Sequence, residues 1–165
     1  MSGAAGPRVV VAGVSGVGKS TVGRALAAAL AVPFLDADDL HPPANVAKMR
    51  RGEALDDADR APWLDLVGAW LAEHPSGVVA CSALKRAYRD RLRAAAGEIV
   101  FVLLTVSPDV LLDRRARRPD QRVPTAPLAD QLAILEPLEV DETGFAQSVD
   151  PDLPTVVTQI TTHLP

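Results

Sequence analysis

At 165 residues and 48% hydrophobic content, the chain is long enough to bury one core and too short for two comfortable domains. A formal charge of −4 removes any general attraction to nucleic acid, so an anionic ligand has to be held by local groups. The single cysteine, Cys81, excludes an intrachain disulfide framework, and no stretch has the length of a membrane span or the basic lead and long apolar core of a secretion signal, so the expectation is a cytoplasmic protein.

Met1 to Pro7 is small and glycine-rich and is expected to fray, so the single domain is read over 8–165. Arg8 to Ala12 reads as a buried strand. It runs directly into Gly13, Val14, Ser15, Gly16, Val17, Gly18, Lys19 and Ser20, an unbroken match to G-x-x-x-x-G-K-[ST]. Val22, Leu26 and Leu30 then recur at helical spacing. The glycines let successive backbone N–H groups turn inward around a polyphosphate, and the helix that follows offers its positive end. This octet, extended to Thr21, is therefore read as the cradle of a nucleoside triphosphate. Lys19 would reach the β- and γ-phosphates, and the Ser20 hydroxyl would ligate Mg²⁺.

Further extended segments are expected at Pro33 to Asp36, Gly77 to Cys81, Glu98 to Thr105 and Phe145 to Val149, each separated from the next by helical pattern. The clearest helix covers Asp59 to Glu73, with Trp63, Leu66, Val67, Trp70 and Leu71 on one stripe and Pro62 in the first turn. Ser107 and Pro108 read as a cap and first residue of a helix through Arg118. The last helix carries Val156, Val157, Ile160 and Leu164. Strands alternating with helices predict an α/β three-layer P-loop NTPase of the nucleoside-monophosphate-kinase type, a five-stranded parallel sheet covered by helices on both faces. In such sheets ligands gather at the carboxyl ends of the strands.

A metal-dependent phosphoryl transfer needs a carboxylate at one of those ends, and only the second strand offers one. It closes Asp36-Ala37-Asp38-Asp39. In extended backbone Asp36 and Asp38 point the same way about 7 Å apart. That spacing suits a division of labour, Asp36 holding the metal and Asp38 taking the proton of an attacking hydroxyl, with Asp39 assigned to capping the next helix.

The run from Asp36 through His41-Pro42-Pro43-Ala44-Asn45 and Lys48-Met49, then Gly52 to Leu64, then Cys81 to Asp90, resembles the gluconokinase family. The likeness covers Val9 to Asp150. It implies a P-loop kinase that moves the γ-phosphoryl of ATP to the 6-hydroxyl of D-gluconate, a homodimer, and kinship to shikimate kinase, in which an Asp-x-Asp on the second strand serves metal and substrate. A sugar acid needs cations and bidentate donors. His41, Lys48, Arg60, Ser82, Lys85 and Arg89 are the substrate candidates beside Asp38, whereas Arg86, Arg91 and Arg93 read as a solvated helix face. Arg114 to Pro127, rich in arginine and proline, reads as a lid over about 115–127. By the same resemblance Arg114 lies near the adenine and Arg118 near the phosphates, where Arg118 would offset charge in the transition state. The sequence departs from the family at Gln121-Arg122, and Arg122 is an added phosphate-ligand candidate. Gln131, Leu135-Glu136 and Asp141-Glu142 return to the family pattern. A kinase for another small hydroxy acid, shikimate included, and a non-catalytic nucleotide-binding module are the alternatives. The exit Cys81-Ser82-Ala83 departs from the glycine triplet of shikimate kinases.

Overall fold

The computed structural model describes residues 6–116 and 128–165, with backbone only at 112 and 114–116. Five parallel strands form one sheet in the order β2-β3-β1-β4-β5. They are β1 (Arg8–Ala12), β2 (Phe34–Asp36), β3 (Gly77–Ala80), β4 (Val100–Thr105) and β5 (Gly144–Ser148), each within two residues of the predicted bounds. The helices are α1 (Lys19–Leu30), α2 (Pro43–Arg50), α3 (Asp57–Glu73), α4 (Arg86–Ala96), α5 (Pro108–Ala116), α6 (Leu128–Ile134) and α7 (Leu153–His163).

Period-two alternation divides the strands between two cores. Val9 and Val11 join Val78, Val102, Leu26, Val156 and Ile160 on the face covered by α1 and α7. Val10 and Ala12 join Val79, Phe101, Trp63, Val67 and Leu92 on the face covered by α3 and α4. Three layers result, as predicted. At the edge strand, Gly144 has φ 154°, and a Cβ there would lie 2.1 Å from the Phe101 carbonyl oxygen, so only glycine lets β5 approach β4.

The structure moves some helical details. α3 starts two residues before the predicted Asp59, because Asp56 accepts from the Asp59 N–H while the Asp59 carboxylate accepts from the Asp56 N–H, a reciprocal capping box. Pro62 consequently sits inside the helix rather than in its first turn. Leu66 leaves the predicted apolar stripe and is exposed, while Leu64 is buried. Both tryptophans serve packing, as expected: Trp63 is buried, and Trp70 stacks on His74 with ring centroids 3.9 Å apart.

Candidate active site

The site lies where the carboxyl ends of β2, β3 and β1 stand side by side. After β1 the chain folds back so that the Gly13 N–H donates to Ser82 O at 3.2 Å, tying the phosphate loop to the exit of β3. Gly13 has φ 141°, and a Cβ would press on Leu104 O at 3.2 Å and on the Val17 side chain at 3.0 Å. The glycine is required by both the turn and the packing. Gly18 is the N-cap of α1 and no side chain caps that helix, so its positive end is presented to the loop. Lys19 folds back, its Nζ donating to Val14 O at 3.0 Å. Val14, Ser15 and Val17 are buried, and the Ser15 N–H donates to Gln131 Oε1 of α6 at 2.6 Å.

Ser20 and Asp36 meet: the Ser20 hydroxyl donates to Asp36 Oδ2 at 2.6 Å. The other oxygen of Asp36 accepts from the Asp38 N–H at 3.0 Å. The chain does not stay extended from Asp36 to Asp38 as predicted: β2 stops at Asp36, and residues Ala37–Leu40 form one 3-10 turn with Asp36 as its cap. Capping therefore falls to Asp36 and not to Asp39. A carboxylate that caps with one oxygen keeps the other for Ser20, which is why the cap and the metal-ligand candidate are one residue.

Asp38, on that turn, exposes 55% of its side chain. Desolvation still pushes its carboxyl above the ordinary carboxylate value, the Lys19 charge opposing the shift and the charges of Asp36 and Asp39 adding to it. His41 Nε2 lies 3.9 Å from Asp38 Oδ1. Its ring stacks on Trp63 at 4.3 Å between centroids, with Trp63 Nε1 donating to Ala37 O at 2.7 Å. Burial first, and the Arg60 charge second, lower the His41 pKa to about 4, so the ring is neutral at physiological pH. The Asn45 amide, 3.3 Å from Nδ1, donates there and leaves the proton on Nε2, the side facing Asp38.

The cations expected for substrate stand at this edge of the sheet, but one of them is fully engaged within the protein. Lys48 Nζ lies 2.6 Å from Asp59 Oδ2, and Lys85 Nζ 3.0 Å from Asp57 Oδ1. Arg60 Nη1 donates to Leu55 O at 2.5 Å and to the Tyr88 hydroxyl at 3.1 Å. Arg89 is the exception, and its assignment to substrate is corrected. It is 0% exposed, and its guanidinium is bidentate to Glu142 at 2.7 and 3.0 Å and donates to the carbonyls of Ala83, Leu84, Glu136 and Pro137. Nothing is left to offer a ligand. Arg89 instead fastens the β3 exit, where Ala83 holds a positive φ of 40°, to the segment before β5. Although burial alone would raise it, the Glu142 carboxyl is brought down to about 2 by Arg89, the Glu139 N–H and Arg93.

Arg86 and Arg93 are likewise corrected from a solvated face: Arg86 pairs with Asp90, Glu139 and Asp141, and Arg93 with Asp90 and Glu142. Arg91 does stay on an exposed face, paired with Asp65. Cys81 is buried and its thiol is pushed up to about 12 by that burial, so it is no nucleophile. Of Arg114 only the backbone, in α5, is described; Arg118, Arg122 and most of the expected lid lie outside the described residues.

Comparison with known proteins identifies the family and the fold. A family model described as shikimate kinase matches residues 15–141. A gluconokinase of Gluconobacter oxydans is 49% identical over 132 residues, covering 78% of this chain and 74% of the relative. The chain belongs to the gluconokinase family. Among solved structures, a gluconokinase from Sinorhizobium meliloti 1021 superposes with a TM-score of 0.85 at 44% identity, covering 94% of this chain and 89% of that one. An unliganded sugar kinase from Janibacter sp. HTCC2649 gives 0.89 at 37% identity, covering 95% and 93%. The family's fold and its ATP-dependent kinase activity on an alcohol acceptor thus match the sequence reading. Asp57, Asp59 and Tyr88 belong to the polar lining of this edge and were missed by that reading. Asp57 and Asp59 look like ordinary first-turn acids, and Tyr88 like a core aromatic.

Proposed function

We propose that this chain is a gluconokinase that transfers the γ-phosphoryl of ATP to the 6-hydroxyl of D-gluconate, giving 6-phospho-D-gluconate and ADP. The observation that carries the reading is the junction of Ser20, Asp36 and Asp38 at the foot of the phosphate loop, in a chain of this family. In it, Gly13 through Thr21 wrap the triphosphate, and Lys19 leaves Val14 O for the β- and γ-phosphates. Asp38 orients the 6-hydroxyl and accepts its proton as the oxygen attacks phosphorus in line. Burial raises the Asp38 pKa, which suits a proton acceptor, and neutral His41 stands 3.9 Å from Asp38 Oδ1. Arg60, Lys48, Lys85 and Ser82 receive the acid and hydroxyls of the substrate, while Arg114 and Arg118 are proposed for the nucleotide.

The donor set fits Mg²⁺. A hydroxyl and a carboxylate are hard oxygen ligands, and no group of three or more His, Cys, Asp or Glu side chains suited to a metal occurs among the described residues. An ion at Ser20 and Asp36 would complete its shell with phosphate oxygens and water. When bound it neutralises charge on the β- and γ-oxygens.

The same reading takes 8–165 as one domain with a lid over about 115–127 in a cytoplasmic protein, and the family resemblance adds a homodimer. No helix among the described residues is long and apolar enough to cross a membrane. A coupled ADP-release assay over gluconate, other aldonic acids and shikimate tests the substrate. Gluconate is expected to give the highest kcat/KM, and preference for shikimate or no turnover of any acid would refute the proposal.

A further inference from the structure

Two side chains with no role in the reading above meet a third between the first turns of α3 and α4. Asp57 opens α3, Lys85 is the N-cap of α4, and Tyr88 stands on the first turn of α4. Both helices start at the carboxyl edge of the sheet, the side on which Asp38 stands. Lys85 Nζ at 3.0 Å and the Tyr88 hydroxyl at 2.5 Å donate to the same oxygen, Asp57 Oδ1. Asp57 Oδ2 takes no hydrogen bond among the described residues, and the side chain is 68% exposed. One oxygen is therefore fixed from two sides while the other is held outward as an unspent acceptor. An exposed ion pair contributes little to stability, so stability alone does not account for this geometry. Tyr88 first, and Lys85 second, also hold the Asp57 carboxyl below its ordinary value, keeping it an acceptor.

The cluster ends a continuous row. His41 is 3.9 Å from Asp38 and stacks on Trp63 of α3. Arg60, one turn before Trp63, donates to Tyr88, and Tyr88 to Asp57. On the gluconokinase reading, a six-carbon hydroxy acid places its terminal hydroxyl at Asp38 and lies along the row with its carboxylate end toward Lys85. Lys85 has three donors, of which the bond to Asp57 uses one. A carboxylate standing next to a substrate carboxylate repels it unless a hydroxyl donates between them. Resting on the gluconokinase reading, we infer that Asp57 is a specificity-determining residue, its Oδ2 accepting a hydrogen bond from the C2 hydroxyl while Lys85 binds the neighbouring carboxylate. Tyr88 is the positioning residue that turns Oδ2 toward the substrate.

The test is a cycle of enzyme and substrate changes. kcat/KM is measured for the wild type, Asp57→Ala and Tyr88→Phe with D-gluconate and with 2-deoxy-D-gluconate, together with the KM for ATP. The wild type is expected to lose roughly tenfold or more on the deoxy acid, the size of one hydrogen bond to a charged group. Asp57→Ala should lose a similar factor on gluconate, mainly in KM, with little further loss on the deoxy acid and an unchanged KM for ATP. Tyr88→Phe should show a smaller loss, again confined to gluconate. Equal wild-type rates on the two acids, or equal losses by Asp57→Ala on both, would overturn the assignment, the second result marking Asp57 as structural only. Failure of the wild type to phosphorylate gluconate at all would overturn the kinase reading beneath it, an outcome distinct from both.

Discussion

The phosphate end and the acceptor end of this cleft are built from different materials. At the proposed phosphate end the candidate groups among the described residues are backbone amides and side chains of one short loop, joined by Asp36 only sixteen residues beyond Ser20. At the proposed acceptor end the candidate groups are side chains from several elements, and the lysines already have carboxylates, Lys48 with Asp59 and Lys85 with Asp57. Amide dipoles can wait for an anion at little cost, whereas a lysine is held by a local carboxylate until an acid competes for it. Affinity at the acceptor end is therefore a difference between two ion pairs, which favours discrimination over tight binding.

The largest effect is expected from the framework that joins the two ends. Glu142→Gln leaves Arg89 buried without its counter-charge and should cost about 3–5 kcal/mol of stability. Calorimetry would show it, and at a temperature where the variant stays folded its KM for gluconate should match the wild type. A selective rise in that KM would return Arg89 to the substrate site. The native pairing also has a pH signature. Glu142 titrates at about 2 when folded against an ordinary 4.5, so its contribution is complete above 4.5 and is lost as pH falls toward 2.

Next in size, Lys19→Met should reduce kcat roughly a hundredfold, because a charge aimed at the transferring phosphoryl is removed while the acceptor end is untouched. Steady-state kinetics with a gluconate KM changed more than a few-fold would show that the two ends are not separable. Of similar size, on stability rather than on rate, is the effect of His41. The unfolded ring takes its proton near 6.5 and the folded ring only near 4, so stability should fall by up to about 3 kcal/mol as pH drops through that window. His41→Phe, which keeps the stack on Trp63, should flatten this part of the profile in denaturant melts; an unchanged slope would place the titration elsewhere.

The same contrast governs how much could be read from the chain. The loop from Gly13 to Ser20 was legible because its function resides in backbone conformation encoded by adjacent residues. Asp36 and Asp38 were legible as a pair at a strand end but not in their geometry: a strand of three residues gives no sign that a 3-10 turn begins after Asp36. Arg89 was misassigned because a basic residue near a strand exit looks the same whether it faces substrate or Glu142, 53 residues further along the chain. Asp57 was invisible for a related reason. Three acids at the start of α3 compete for the cap, and only the fold shows that Asp56 takes it and leaves Asp57 to face Lys85 and Tyr88.

The account turns on Asp38 as the base. Turnover of gluconate by Asp38→Asn, measured beside its dissociation constant for ATP, is the direct examination. A fall of about a hundredfold to ten-thousandfold in kcat with ATP affinity unchanged is the predicted result. Turnover within a few-fold of the wild type would contradict it.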